Sequence, residues 1–266
     1  MMLEQELRAA LARNEITVWY QPQVTIIDRR LVGLEALVRW NHPERGLIEP
    51  AGFIPLAEHT GLITELGEQV LRKACEQIKI WGARGYAPIR VGVNVSPRQF
   101  YQRDFVGMVE RVVSEYDIDP ASLELEVTES VAVQKSDRTL SILREIHDMG
   151  ISIAIDDFGT GQSSLTYLKQ FPVDTVKIDR SFVIDLPLHT NAESIVTAVL
   201  LLANQLGLRT IAEGVETEEQ CDFLRENDCR IIQGYLISKP RPPADIEREF
   251  LAVTLPSGSL AADRQS

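Results

Sequence analysis

The chain has 266 residues, 44% of them hydrophobic, which is enough apolar material for one large core or two small ones. Its 39 acidic residues outnumber its 27 basic residues, and the resulting net charge of −12 disfavours a nucleic-acid polymer or an anionic membrane surface as a partner. The sequence contains no run of about 18 apolar residues, so we do not expect this chain to insert directly into a membrane. Three cysteines are too few for a disulfide scaffold. This composition fits a cytoplasmic protein.

The first part of the chain predicts a β-hairpin followed by a helix. Ile16–Tyr20 and Leu31–Trp40 are strand-like runs, and a short polar stretch at residues 28–30 links them. A helix is predicted to open at Thr64 and to end at Gly82, because its apolar residues recur at helical spacing.

From residue 89 onward, short apolar runs alternate with amphipathic helices. The predicted strands are Ile89–Val95, Leu123–Val127, Ile151–Ile155, Thr175–Ile178, Leu208–Ala212 and Arg230–Ile232. The helices between them have recognisable ends: Ser136 can cap one, Gly207 ends another, and Thr217 with Gln220 has the spacing of a capping box. This alternation predicts parallel strands joined by right-handed crossovers.

Six parallel strands and the hairpin make about eight strands in roughly 250 residues, the size of a TIM-like (β/α)8 barrel. An open, doubly wound α/β sheet is the alternative. No linker divides the chain, so we expect a single barrel domain over residues 1–250 and a disordered tail over residues 251–266.

Polar side chains follow the predicted strands at the points where these end. They are Asn94, Glu126, Asp156 with Asp157, Lys177, Glu213 and Gln233. In a barrel of parallel strands these ends meet at one face, where barrel enzymes carry out their chemistry. Carboxylates gathered there take up protons unless a cation neutralises them, and oxygen ligands favour Mg²⁺ or Mn²⁺ over zinc.

A structural alternative applies to each acidic residue taken alone. An ordinary half-exposed strand also alternates acidic and apolar residues, and Glu129, Asp157 or Glu216 can cap a helix. We assign Glu124 and Asp174 to this structural alternative. The four histidines show no metal-ligand spacing: His147 is predicted on a helix surface and the other three in loops.

Several motifs occur in order over residues 7–240. They are Tyr20–Pro22, Glu35–Trp40, Phe53–Glu58, Asn94–Ser96, Glu126–Glu129, Asp156–Gly161, Lys177–Asp179, Ala212–Glu216 and Gln233–Tyr235. Together they resemble the EAL-domain cyclic-di-GMP phosphodiesterases of bacteria. The chain departs from that family at Gln162, where an aromatic residue is usual, and at Ile237, where phenylalanine is frequent.

This resemblance implies a barrel with one antiparallel strand, which hydrolyses cyclic-di-GMP to the linear dinucleotide pGpG with a two-metal site for Mg²⁺ or Mn²⁺. For one metal, it implies the ligands Glu35, Asn94, Glu126 and Asp156. For the second, it implies Asp156, Asp157 and Glu213, with Asp156 bridging the two.

The resemblance also implies roles for the remaining site residues. It implies substrate contacts at Gln21 and Arg39, with Arg39 reaching a phosphate, and further site residues at Gln233 and Glu216. The resemblance further implies that Lys177 orients or activates the attacking water, and it leaves the general base open between Lys177 and Glu213. Glu129 anchors the loop Phe158–Ser164, which is implied to arrange the aspartates and a homodimer contact.

Bound cations would reconcile an acidic chain with a dianionic substrate, because they set the local field of the site. All the ligand positions of the family are filled, which favours an active enzyme. One alternative is a receptor that binds cyclic-di-GMP without turnover, and another is a different Mg²⁺-dependent barrel enzyme. The resemblance also allows the chain to be the cytoplasmic domain of a larger sensory protein.

Overall fold

The computed structural model describes residues 2–133, 136–160, 168 and 170–252. Its strands are β1 (Ile16–Thr25), β2 (Leu31–His42), β3 (Gly46–Ile48), β4 (Arg90–Val95), β5 (Leu123–Thr128), β6 (Ser152–Phe158), β7 (Thr175–Ile178), β8 (Arg209–Ala212) and β9 (Ile231–Ile232). They form one sheet in the order β1-β9-β8-β7-β6-β5-β4-β2-β3. Because β1 also pairs with β2, eight of these strands close into a barrel, and β3 is added to β2 outside it.

Strand β1 is antiparallel to both of its neighbours, β2 and β9, whereas the other contacts around the barrel are parallel. The predicted TIM-like barrel and its one antiparallel strand are therefore confirmed, and the open doubly wound sheet is wrong. The expected tail, residues 253–266 in particular, lies outside the described residues, and so does Gln162. The single-domain extent of 1–250 stays a prediction.

Helices cover the outside of the barrel. They are α1 (Met2–Ala12), α2 (Ile54–Thr60), α3 (Ile63–Ala83), α4 (Pro97–Phe100), α5 (Phe105–Tyr116), α6 (Glu129–Val133), α7 (Asp137–Asp148), α8 (Arg180–Val183), α9 (Thr190–Gln205), α10 (Glu218–Glu226) and α11 (Pro243–Ile246). Short 3₁₀ turns occur at Pro50–Gly52 and Pro120–Ser122, and a π-helical turn at Glu247–Leu251 follows α11. Within the described part of the chain, no helix combines the length and the apolarity that a bilayer crossing requires.

The sequence signals for helix ends are confirmed. The Ser136 side chain accepts a hydrogen bond from the backbone of Thr139 at the start of α7, and Thr217 and Gln220 form both bonds of a capping box. Gly207 follows α9 with a φ of 71°, a left-handed conformation that glycine adopts without strain. Helix α1 and strand β3 were not predicted. The placement of two histidines in loops was wrong, since His42 lies in β2 and His59 in α2.

Strand β5 shows how the barrel separates apolar from polar side chains. Leu123, Leu125 and Val127 belong to the large apolar core between the sheet and the helices. Glu124 and Glu126 alternate with them and contact residues of β7, which is not a neighbour of β5 in the sheet. These contacts therefore pass over β6 on the inner side of the barrel, so the interior is polar along this strand.

Candidate active site

A buried lysine lies at the centre of the barrel's carboxyl-terminal mouth. The Nζ of Lys177, on β7, is 2.6 Å from Oε2 of Glu126 and 2.6 Å from Oε1 of Glu213. It is also 3.2 Å from Oδ1 of Asp156 and 3.6 Å from Oε1 of Glu35. The four carboxylates come from β2, β5, β6 and the residue after β8, so closure of the barrel brings together side chains that are distant in sequence.

The charges of this cluster do not balance, since four carboxylates and one ammonium leave a formal charge of −3. Burial raises the pKa of Glu126 and of Glu213 well above the usual value, and neighbouring carboxylates raise it further, although Lys177 opposes this. Burial lowers the pKa of Lys177, but the surrounding carboxylates outweigh it and the pKa is raised. The cluster therefore favours additional positive charge.

Two oxygens of the cluster are available to a cation. Oε1 of Glu126 and Oδ1 of Asp156 are buried and make no hydrogen bond with the described residues, although Oδ1 of Asp156 lies within ion-pair distance of Lys177. No preformed cage of three acidic, histidine or cysteine residues exists in the described ranges, because the carboxylates surround Lys177 instead. Oxygen donors with unsatisfied lone pairs and excess negative charge fit a hard divalent cation such as Mg²⁺ or Mn²⁺.

Gly92 makes room for one of these carboxylates. A Cβ atom at this position of β4 would overlap Oε1 of Glu126 on the neighbouring strand. The sequence analysis missed this residue. The signal was a glycine between two valines in a buried strand, which often marks close approach of another group.

Asn94 and Glu35 are joined directly, since the Asn94 amide donates to Oε1 of Glu35 at 2.7 Å. Asp157 follows Asp156 with a φ of 54°, at a register shift between β6 and β7. Burial, and then the charges of Asp156 and Asp179, raise the pKa of Asp157 from 3.8 to about 6. Asp157 thus lies beside the cluster, in the same acidic field.

Three glutamines continue the site on the antiparallel side of the barrel. The Gln233 amide donates to Oε2 of Glu35 and, at 3.1 Å, to Oε1 of Gln21. Gln21 in turn donates to the carbonyl of Ser238 at 3.0 Å. Gln23, which the sequence analysis did not single out, donates to Oε1 of Gln233 at 2.9 Å. The predicted residues Gln21 and Gln233 are thereby linked to the carboxylate cluster.

A cavity of about 180 Å³ opens at this mouth. Its lining consists of Gln21, Glu35, Leu37, Arg180, Glu213, Gly214, Glu216, Gln233, Gly234 and Tyr235. Glu216 accepts a hydrogen bond from Arg180 at 2.7 Å, so this predicted site residue holds the only cation among the described lining residues. Arg180 was not anticipated from the sequence.

Arg39 is not in contact with the carboxylate cluster. Its Nη1 donates to the carbonyl of Val38 at 2.9 Å, and its guanidinium lies 5.6 Å from the centre of the Trp19 ring. Burial lowers the pKa of Arg39, although Glu49 opposes this, and Nε makes no hydrogen bond with the described residues. Arg39 therefore keeps a buried donor for a further partner.

Glu129 is the first residue of α6 and is buried. Its Oε2 accepts a hydrogen bond from the backbone of Gly159 at 2.9 Å, directly after the two aspartates of β6. The predicted anchor thus contacts the beginning of the loop Phe158–Ser164. The rest of that loop, residues 161–164, lies outside the described residues.

The fold and the site define a class: a TIM-like barrel whose chemistry-bearing side chains meet at the carboxyl ends of its strands. Within that class the chain belongs to the EAL domain family, whose profile matches residues 4–240.

Two curated relatives from Pseudomonas aeruginosa illustrate this similarity. The bifunctional diguanylate cyclase/cyclic di-GMP phosphodiesterase MucR is 44% identical over 242 residues, covering 91% of this chain and 35% of MucR. The cyclic di-GMP phosphodiesterase NbdA is 42% identical over 251 residues, covering 94% of this chain and 32% of NbdA. The chain therefore spans about a third of the length of these curated relatives.

A solved structure named the MucR phosphodiesterase in complex with c-di-GMP superposes with a TM-score of 0.90 at 43% identity. The superposition covers 92% of this chain and 100% of the chain in that structure.

Proposed function

We propose that this domain hydrolyses cyclic-di-GMP to pGpG in a reaction that depends on Mg²⁺ or Mn²⁺. The observation that carries the proposal is the cluster of four carboxylates around Lys177, whose excess negative charge fits divalent cations, as do its two buried oxygens that make no hydrogen bond with the described residues. The names of MucR and NbdA support the choice of substrate.

The residues that would hold the metals are those of the cluster and its neighbours. Glu35, Asn94, Glu126 and Asp156 are proposed for one cation, and Asp156, Asp157 and Glu213 for the other. When bound, two such cations lower the pKa of a water molecule and neutralise charge on the phosphoryl group.

Two side chains of the cluster are proposed to supply electrostatic stabilisation and the general base. The pKa of Lys177 is raised, so its ammonium keeps its proton and stabilises negative charge that develops on a phosphoryl oxygen. Glu213 lines the cavity at the mouth, where a carboxylate can accept the proton of the attacking water. We therefore assign the general base to Glu213 and the electrostatic role to Lys177.

Substrate binding is assigned to the mouth of the barrel. Gln21 and Gln233 line the cavity and are the proposed polar contacts of a ligand there. Arg39 can direct its unused Nε donor at a phosphate. Glu216 acts through Arg180, whose charge it holds at the cavity wall.

A direct assay tests the proposal. Purified protein is mixed with Mn²⁺ and cyclic-di-GMP, and pGpG is quantified by chromatography. Wild-type protein should form pGpG, whereas Glu35→Ala should form none while unfolding at a similar temperature. Glu44 is exposed on the turn after β2, so Glu44→Ala is the matched control and should retain wild-type activity.

The same assay separates the alternatives. Binding of cyclic-di-GMP without turnover would indicate that the domain is a receptor and not an enzyme. Absence of both binding and turnover would indicate a different Mg²⁺-dependent barrel enzyme. Near-normal turnover by Glu35→Ala would refute its assignment as a metal ligand.

We further propose that the domain works as a homodimer in the cytoplasm, as family resemblance implies. Sedimentation velocity at several protein concentrations tests the dimer, and a monomer at all of them would refute it.

A further inference from the structure

Gln23 is a buried polar residue that has no place in the proposed chemistry. In the pairing of β1 with β2, Gln21 lies opposite Glu35 and Gln23 lies opposite Gly33, one inward-facing position deeper in the barrel. Only 4% of Gln23 is exposed, and it is absent from the lining of the cavity at the mouth. A substrate in that cavity would therefore not contact it.

The backbone around Gln23 is shaped to accommodate this side chain. A Cβ atom at Gly33 would overlap its Oε1, so the glycine on β2 leaves the space that the amide occupies. Directly after Gln23 the register shifts, and β1 begins to pair with β9 at Val24. Gln23 thus lies where the antiparallel strand closes the barrel, in hydrogen-bond contact with Gln233, the residue that follows β9.

The hydrogen bonds at this point have a defined direction. Gln23 donates its Nε2 hydrogen to Oε1 of Gln233 at 2.9 Å. With its oxygen accepting that bond, the Gln233 amide has its nitrogen on the opposite side, where it donates to Glu35 and Gln21. A reversed amide would place an oxygen against the Glu35 carboxylate, two acceptors facing each other in a buried site.

We propose that Gln23 is a positioning residue that fixes the amide orientation of Gln233 and, through it, the Glu35 carboxylate. This inference rests on the proposed function in one respect, which is that Glu35 is a metal ligand. Groups that orient the ligands of a metal commonly contribute about 10–100-fold to metal affinity or activity.

Two substitutions of similar size separate orientation from packing. Gln23→Met removes the donor without adding a competing group. Gln23→Glu, studied at pH 8, replaces the donor with an acceptor when its carboxyl group is ionised and so draws the Gln233 nitrogen away from Glu35, whereas its protonated form would still donate to Gln233. We expect Mn²⁺ affinity to fall about tenfold in Gln23→Glu and about threefold in Gln23→Met.

The measurement is isothermal titration of Mn²⁺ into each metal-free protein, together with thermal unfolding. Gln102→Glu adds the same charge at an exposed position and should bind Mn²⁺ as the wild type does. Equal losses in both Gln23 variants, or wild-type affinity in both, would overturn the inference. If Gln23→Glu does not fold, Gln23→Met decides: a threefold loss supports the inference and wild-type affinity overturns it.

Failure of the proposed function gives a different result. A wild-type protein that binds Mn²⁺ but forms no pGpG would refute the hydrolase, while the Mn²⁺ affinities of the variants would still decide the role of Gln23. A wild-type protein that binds no Mn²⁺ would overturn both.

Discussion

Glu124 and Glu126 lie two residues apart on the same face of β5, yet their surroundings differ. Glu124 accepts hydrogen bonds from Thr175 and Arg209, each at 2.8 Å, so one carboxylate meets one cation and one hydroxyl. Glu126 shares the single ammonium of Lys177 with three other carboxylates, and its Oε1 makes no hydrogen bond with the described residues. Glu124, deeper in the barrel, therefore has its charge and hydrogen-bond partners within the chain, whereas Glu126, at the mouth, lacks a partner for one oxygen among the described residues.

This difference teaches which buried charges are structural and which await a ligand. A buried carboxylate with its partners in place is complete within the fold. A buried group of carboxylates with too few cations is costly to the folded chain, and such a cost is typical of sites whose partner comes from outside. The following predictions test that contrast, from the largest effect to the smallest.

Glu126→Gln should lower the rate of cyclic-di-GMP hydrolysis at least about 100-fold, because it removes a proposed ligand oxygen and one negative charge from the site. The same change should leave the metal-free protein at least as stable, since it reduces the repulsion among carboxylates. Hydrolysis rates and thermal unfolding without metal check both expectations. Activity within tenfold of wild type would contradict the assignment.

Lys177→Ala should lower kcat by about 100-fold, the loss typical of removing one electrostatic donor, while Mn²⁺ still binds. Without metal it should lower the free energy of unfolding by about 3–5 kcal/mol, because four buried carboxylates lose their counter-charge. Mn²⁺ should therefore raise the unfolding temperature more in this variant than in wild type. Lys79→Ala, which breaks an exposed pair with Asp117, is the control and should change neither quantity appreciably.

Glu124→Gln should act on stability instead. It weakens the bonds to Arg209 and Thr175, and we expect the free energy of unfolding to fall by about 1–3 kcal/mol. Turnover per folded molecule should stay within about threefold of wild type, well short of the loss from a group that orients a metal ligand. Urea unfolding and active-site-normalised rates check this, and a loss of turnover matching that of Glu126→Gln would erase the contrast between the two positions.

Asp157 should give the smallest effect, visible in the pH dependence of the metal-free protein. Its pKa is raised from 3.8 to about 6 by burial and by neighbouring acids, so between those values the folded chain holds a proton that the unfolded chain has released. Its contribution to stability therefore falls as the pH rises from about 4 to about 6. Asp157→Asn should be less sensitive to pH over this window in urea unfolding. If the free energy of unfolding varied with pH equally in Asp157→Asn and in wild type, the raised pKa of Asp157 would be excluded.

Much of the site was predictable because residue type and position along a strand are local properties. Asn94, Glu126, Asp156 and Glu213 could be placed at strand ends from the alternation of apolar and polar residues alone. The family resemblance predicted the EAL domain, which the comparisons confirm. The site roles stay predictions.

Other features were not predictable from a local pattern. Gly92 and Gln23 matter through the atoms that approach them from other strands. Arg180 lies after β7 but acts at the cavity because Glu216, 36 residues later, holds it there. Glu124 was assigned a structural role from the sequence, but its partners Thr175 and Arg209 lie on other strands and were not predictable.

By itself, the sequence determined the order of strands and helices, the helix caps and the residue types at the strand ends, because these depend on neighbours within a few positions. Only the tertiary structure decided which charges are paired. That outcome depends on closure of the barrel, which brings carboxylates from β2, β5, β6 and the residue after β8 around a single ammonium on β7.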